Sequence, residues 1–354
     1  MQLGNNIGGI LQAYALYCFI ESKGHSPYLI RLSTDYLRSK EFARKCLELN
    51  PFYDFFDPKS VGRRHRNSKP LIEFVARAFL NQTKLIRSQK SFEQVANSFD
   101  AIIVGSDQVW RYAYVGKNIE KYFLKGVQSG VKKIAYAASF GTSEWECKDE
   151  FMNRELTRLV SLFDFVSVRE ESGLEILKDE FNYDKAQVCV DPTLLHTASF
   201  YIRMVDKYKE IGRTDAKEPF LFAYLLDIND HKKEFLEHLC ATKGLEPKLS
   251  SSTYFSKSLN PAEWIDHIRD AEYILTDSFH GSVFSILFMK PFTLLINRSR
   301  GASRFATLLN LIKDKTVDPT NSIVTVRPTK NDQAKLLSLV VNSRALLEKQ
   351  LSRI

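Results

Sequence analysis

YILTDSFHGSVFSILFMKPFTLL, Tyr273 to Leu295, is the stretch on which the fold turns. An apolar run near 272–276 ends at Thr276 and Asp277. Ser278, Phe279 and His280 form a tight turn, Gly281 opens a helix over 281–289, and Pro291 precedes the next apolar run, 291–296. Strand, turn, helix and strand in that order make a βα unit of a parallel sheet. Such sheets bind ligands beyond the carboxyl ends of their strands, which places 278–280 at the functional edge. The free N–H groups of Gly281 and Ser282, with the helix dipole, predict a phosphate or carboxylate site. His280 stands in it as a group able to give or take a proton near neutral pH.

The same alternation extends outward in both directions. Strands are expected near 27–32, 100–104, 133–138, 164–168 and 186–190, and again near 219–225, 246–250, 272–276, 291–296 and 322–326, with helices near 231–243, 261–270, 281–289 and 301–312. The polar stretch from Asp206 to Glu218 separates the series. The expected fold is α/β, with two Rossmann-like domains whose parallel sheets face a cleft: 1–205, and 206–354 ending in a helix that starts at Pro328 and packs back across the cleft. GNNIGG (Gly4–Gly9) leads into an amphipathic helix, Ile10 to Lys23, with only Met1, Gln2 and Leu3 before it. The first strand of the N-terminal domain is therefore expected to be missing, either because the true start lies upstream or because the lobe has lost an inner strand.

The 354 residues exceed what one core usually fills, and 44% apolar with 26% charged residues is globular composition. No run is apolar enough to span a bilayer and no signal peptide is visible, so the cytoplasm is the expected compartment. Cys18, Cys46, Cys147, Cys189 and Cys240 are scattered, which argues against disulfides or a zinc knuckle and for small buried side chains. The net charge of +8 is local: residues 38–90 hold 13 basic and 5 acidic side chains, and the rest of the chain sums to zero. That segment also holds Phe42, Phe52, Tyr53, Phe55, Phe56, Phe74 and Phe79 and the cluster Arg63-Arg64-His65-Arg66. Basic side chains among aromatics suit an anionic membrane surface. The other reading is a solvated insertion whose aromatics pack on their own domain. No nucleic-acid motif accompanies it.

Further strand ends carry polar groups. DAIIVGSDQVW (Asp100–Trp110) presents Ser106, Asp107 and Gln108. KIAYAASFG (Lys133–Gly141) ends in Ser139 and Gly141, and VCVDPTLL (Val188–Leu195) carries Asp191. FDFVSVREESG (Phe163–Gly173) sets Arg169 at a helix start, where a cation opposes the dipole and needs an anionic partner, either Glu170 and Glu171 or a ligand. NRSRGASRF adds Arg298, Arg300 and Arg304, whose guanidinium forks match carboxylate and phosphate. GNNIGG is neither a Walker nor a dinucleotide motif, though its amides are placed to cradle a phosphate. With no HExxH, nucleophile elbow or Cys/His cluster, no metal is expected, and the cleft chemistry reads as acid–base plus arginines.

Taken in order, GNNIGGILQAYAL, DAIIVGSDQVW, KIAYAASFG, VSVREESG, VCVDPTLL and TDSFHGSVFSILFMKPF resemble the polysaccharide pyruvyl transferase family, from residue 4 to about residue 300. The resemblance implies a GT-B-like fold and transfer of the enolpyruvyl carbons of phosphoenolpyruvate to a sugar as a cyclic ketal, with phosphoenolpyruvate as donor substrate and no cofactor. It implies that Arg169 and His280 line the donor site together with a further arginine about twenty residues on, which Arg300 matches best by spacing, beside Arg298 and Arg304. Gly281 and Ser282 complete that site. The acceptor is expected near Asn5, Gly8, Ser106, Asp107 and Gln108, with Asp107 a possible base. Acceptors of this kind are often lipid-linked, which would place the enzyme on the inner membrane face through residues 38–90. Two rival readings are a GT-B glycosyltransferase using a nucleotide sugar and a non-catalytic sugar- or phosphate-binding protein.

Overall fold

A computed structural model describes residues 6–33, 69–208, 218–251, 259–296, 303–318, 320 and 322–354. The first sheet is parallel throughout, in the order β1 (Ala101–Val104), β2 (Lys132–Ala138), β3 (Phe165–Val168), β4 (Gln187–Val188). The second has the order β6-β5-β7-β8-β10-β9, from β5 (Phe220–Leu225), β6 (Glu246–Ser251), β7 (Tyr273–Thr276), β8 (Phe292–Leu295), β9 (Lys315–Asp318) and β10 (Ile323–Val326). β5 to β8 run parallel, whereas β10 is antiparallel to both of its neighbours, β8 and β9. The second sheet is thus mixed: the strand expected near 322–326 is present but reversed, and its partner β9 was not anticipated. β9 alternates half-buried ends with an exposed middle, Thr316 and Val317, so it lacks the continuous apolar run by which the inner strands are read.

The strand expected near 27–32 is reduced to two isolated parallel bridges, Leu29 with Gln82 and Leu32 with Ile86. Among the described residues β1 has no partner on its outer side. There a slot of about 530 Å³ runs past Leu16, Tyr17, Leu29, Ile102 and Val104. The expectation of a missing first strand falls on residues 1–5, outside the described residues.

The N-terminal helix (Ile7–Ser22) begins three residues earlier than expected because Asn6 caps it, its side chain accepting from the Gly9 amide at 3.0 Å. Asn6 to Gly9 of GNNIGG are therefore the cap and first turn of a helix. The helix is buried nearly all round: Ile7, Ile10, Leu11 and Tyr14 join a core shared with Phe222, Trp264, Ile274 and Phe284 of the second half, while Leu16 and Phe19 pack with Tyr136 and Leu195 of the first. The C-terminal helix (Lys330–Leu351), started by a Thr329/Asp332 capping box, spans the same two cores, with Leu336 and Val340 in one and Leu347 and Leu351 in the other. Packing back across the two halves is what its amphipathic pattern predicted. Of the basic aromatic segment, Phe74 and Phe79 are core residues packed edge-on against Tyr14, so for these two the membrane reading is replaced by packing on the protein itself. Phe42, Phe52, Tyr53, Phe55, Phe56 and Arg63 to Arg66 lie outside the described residues. Cys147, Cys189 and Cys240 are buried and Cys18 is half-buried. Among the described residues no helix is long and apolar enough to cross a membrane.

Candidate active site

The carboxyl ends of the first sheet's four strands are tied side by side by main-chain bonds that continue the ladder. The Ser139 amide donates to the Asp107 carbonyl (3.0 Å), Arg169 to Ala138 (3.1 Å) and Cys189 to Val168 (2.9 Å). This brings Ser106, Arg169 and Asp191, far apart in the chain, to one point. Arg169 Nη1 donates to Asp191 Oδ2 at 2.8 Å and to Ser106 Oγ at 3.3 Å, and the Ser106 hydroxyl donates to the same Oδ2 at 2.9 Å. The other carboxylate oxygen accepts from the Thr193 amide (3.0 Å) and hydroxyl (2.7 Å), as the N-cap of the 3-10 turn Pro192–Leu195.

From the second half, β7 ends at Thr276 and the helix Phe279–Leu287 follows. Ser278 is its N-cap, so the helix takes in Phe279 and His280, two residues before the expected start. The Gly281 amide donates to Ser278 Oγ (3.4 Å) and the Ser282 amide to the Ser278 carbonyl (3.1 Å); both residues are buried. These two amides therefore close the helix start and are not the free anion-binding pair expected. A side chain on Gly281 would overlap Thr276, whose hydroxyl donates to the Tyr224 carbonyl at 2.8 Å, so glycine here serves helix-to-strand contact. Asp277 is likewise saturated, accepting from the Leu226 (2.6 Å) and Asp227 (3.3 Å) amides and from Lys232 Nζ (2.5 Å).

His280 is the group this turn offers outward. It is 5% exposed, and its Nε2 lies 3.4 Å from Asp191 Oδ2, across the boundary between the halves. On its other side the N-terminal helix comes so close that a methyl group on Gly8 would overlap the imidazole ring at Nδ1. Arg169, 4% exposed, stacks on the Phe279 ring at 4.3 Å. Burial on its own would raise the Asp191 carboxyl, but the His280 imidazole, Arg169 and the Thr193 amide hold it well below the usual carboxylate range. Burial also works against the Arg169 charge, and Asp191, Glu170 and Asp107 more than offset it. Arg169 Nη2 and His280 Nε2 are buried without a hydrogen-bond partner, while Arg169 Nε and Glu170 Oε2 face each other at 3.7 Å, an ion pair outside hydrogen-bond distance. Natural proteins seldom leave buried polar atoms in this state, which makes the cluster the candidate site.

Residues 6–299 match the polysaccharide pyruvyl transferase family. The chain belongs to that family. Comparison with curated proteins found no match. Among solved structures it is similar to a putative UDP-N-acetylglucosamine 2-epimerase from Listeria monocytogenes, at 9% identity and TM-score 0.48 over 95% of this chain and 86% of that one. It is also similar to S. aureus MnaA with UDP (12%, 0.44, 83% and 85%) and to UDP-GlcNAc 2-epimerase from Neisseria meningitidis bound to UDP-GlcNAc (11%, 0.42, 98% and 92%).

Within this pyruvyl transferase family member, Arg169 and His280, taken from distant motifs, both reach Asp191 Oδ2. Gly8 and Ser106, expected on a separate acceptor side, belong to the same cluster: one touches His280, the other Arg169. Asp107, held at φ 73°, accepts at both carboxylate oxygens, from the Gln108 amide (2.8 Å) and Asn6 Nδ2 (3.2 Å), and so supports the start of the N-terminal helix. Gln108 packs its amide over Gly141. Asn5, Arg298 and Arg300 lie outside the described residues. Arg304 lies in the helix Ser303–Asn310, its side chain not described. Two participants are not singled out by the sequence: Asp191 reads only as a strand-end carboxylate and Phe279 as a turn residue. Glu170, one of the two glutamates expected as a partner of Arg169, stands 3.7 Å from its Nε through Oε2, and its Oε1 accepts from Ser139 Oγ (2.7 Å) and the Gly141 amide (2.9 Å). The available signal was the bare arginine at a helix start, which demanded carboxylates nearby.

Proposed function

We propose that the protein transfers the enolpyruvyl unit of phosphoenolpyruvate to two hydroxyls of a sugar in a surface polysaccharide or its lipid-linked precursor, forming a pyruvate ketal. The observation that carries this reading is the convergence of Arg169 and His280, from the two halves, on Asp191 Oδ2, with Arg169 Nη2 and His280 Nε2 buried and without a hydrogen-bond partner. A small dianion answers that arrangement: the Nε/Nη2 edge of Arg169 fits a carboxylate or phosphate in two-pronged fashion, and the imidazole stands beside it as a proton donor. His280 gives a proton to the methylene carbon, leaving C2 as an oxocarbenium-like centre. A sugar hydroxyl adds there and loses its proton, and a second hydroxyl displaces phosphate to close the ring. Arg169, with a second cation from the 298–304 segment, of which Arg300 is our choice, stabilises the charge that gathers on the leaving group. The acceptor approaches along Gly8 and Ser106. A basic segment before residue 69 would suit a lipid-linked acceptor at an anionic membrane surface.

The test is phosphate release from phosphoenolpyruvate in the presence of diol-bearing hexosides, with the ketal methyl group followed by NMR. Thermal shifts with phosphoenolpyruvate and with uridine diphosphate run alongside. Stabilisation by phosphoenolpyruvate and a ketal product are expected; stabilisation by uridine diphosphate alone would point to nucleotide-sugar chemistry.

A further inference from the structure

Among the described residues, Asp191 is the one carboxylate that touches Arg169 and His280 at once. Its side chain is wholly buried, and neither oxygen is free to turn away: Oδ1 is fixed by the Thr193 amide and hydroxyl, and Thr193 is itself fixed through its carbonyl, which accepts from Tyr201 at 2.7 Å. Pro192 at the start of the 3-10 turn stiffens the backbone beneath it. Oδ2 then takes Arg169 by Nη1 alone, at 2.8 Å, with Ser106 Oγ at 2.9 Å and His280 Nε2 at 3.4 Å. A carboxylate meeting arginine head-on would use two nitrogens; this one takes a single nitrogen at the end of the fork, and of the other edge Nη2 has no hydrogen-bond partner while Nε faces Glu170 Oε2 at 3.7 Å, beyond hydrogen-bond distance. We infer that Asp191 is the positioning residue of the donor site: from one rigid carboxylate oxygen it holds the guanidinium by its far end, so that its two-pronged edge faces the substrate anion, and fixes the imidazole beside it.

This inference rests on the pyruvyl-transfer reading of the same residues. A residue that only glues the two halves together would lower stability without singling out phosphoenolpyruvate. One that acts through Arg169 must lose its effect once Arg169 is gone. The experiment is a cycle of Asp191→Asn, Arg169→Gln and the double variant. KM for phosphoenolpyruvate and kcat are read for each, together with the melting shift that phosphoenolpyruvate induces.

Asp191→Asn is expected to raise KM by about tenfold or more and to shrink the ligand-induced melting shift, the scale of losing one charged hydrogen-bond partner. The double variant should be scarcely worse than Arg169→Gln. Ser106→Ala, which removes only the hydroxyl shared by Arg169 and Asp191, provides a second measure should Asp191→Asn not fold, with KM expected to rise about threefold to tenfold. Wild-type protein neither turning over nor stabilised by phosphoenolpyruvate would overturn the pyruvyl-transfer reading and this inference with it. An active wild type with unchanged KM in Asp191→Asn, or in Ser106→Ala where that is the variant measured, or with losses that multiply in the double variant, would overturn the inference alone.

Discussion

Two histidines are set against the N-terminal helix, one at its first turn and one halfway along, and the protein treats them in opposite ways. His196 donates from Nε2 to the Ala15 carbonyl at 2.8 Å and stacks face to face on Phe200 at 3.8 Å, while Phe19 and Tyr201 meet it edge-on. His280 has Gly8 pressed against one side of its ring and Asp191 at 3.4 Å on the other, and its Nε2 keeps no hydrogen bond. Residue type does not separate them, since both are largely buried imidazoles on the same helix. Satisfaction of their nitrogens does. The first region satisfies its ring nitrogen within the chain; the second leaves Nε2 without a hydrogen bond, at the atom to which the proposed function gives the proton transfer.

The widest break between the two should appear in turnover. His280→Gln keeps the ring's approximate volume but cannot deliver the proton, and is expected to lower kcat by about 10² to 10⁴, the usual range for a general acid, with a melting temperature close to wild type. The equivalent change at His196 should leave kcat for phosphoenolpyruvate nearly intact. Assays of released phosphate beside melting curves decide both; a His280→Gln enzyme of wild-type activity would put the two histidines in one class.

Next in size is Gly8→Ala. The added methyl must push the imidazole aside or lift the helix end, because the overlap reaches Nδ1, Cγ and Cβ of His280 and no flexible tip is available to give way. A displacement of about an ångström at a reacting group costs about 10²-fold in rate, and overpacking adds about 1–3 kcal/mol of instability. Single-turnover rates and chemical denaturation on one preparation would show both, and a rate within twofold of wild type would mean the contact is slack.

His196 supplies the pH dependence of the fold. Burial pulls its imidazole down to about 4; the Ala15 carbonyl acts the other way, and Arg344 and Arg203 add to the lowering. An unfolded histidine protonates near 6.5, so between about 6.5 and 4 the unfolded chain binds the proton that the folded one refuses. Stability is therefore whole above about pH 6.5 and falls as pH drops towards 4, by up to about 3 kcal/mol. His196→Gln should flatten that slope in melting curves taken from pH 7 to pH 4. Asp191 begins to add its own loss only below the ordinary aspartate value near 4, since its carboxyl is held lower still in the folded protein.

How much of this was legible beforehand follows the same division. The inner strands of both sheets and the C-terminal helix were readable because buried strands are continuous apolar runs and because the 3.6-residue period persists to Leu351. His280 was readable from its turn and Arg169 from its misfit with a helix start. What escaped had several causes. β9 has an exposed middle and is held by pairing with the neighbouring β10; the Gly281 and Ser282 amides looked free because the helix was expected to start at 281, whereas Ser278 caps it two residues earlier. Asp191 resembled any strand-end carboxylate until the two halves came together. GNNIGG, with two glycines in a row, looked like a loop by propensity, but Gly8 is in a helix for want of room beside an imidazole 272 residues further on.

The smallest effect sharpens the comparison from the far end of the same helix. Lys23, the C-cap residue, reaches Glu348 of the C-terminal helix at 2.7 Å, with both side chains about 40% exposed. Water screens the pair and two long side chains must be held still to keep it, so Glu348→Gln should cost below about 1 kcal/mol and less still in high salt. A larger loss would mean that the helix is anchored at its exposed end. The position of Gly8 against His280 would then depend on that surface pair and not on the buried Ala15–His196 bond, and turnover in Glu348→Gln should fall with it. Unchanged turnover in this variant, set beside the expected loss in Gly8→Ala, would place the control of His280 in the first turn of the helix.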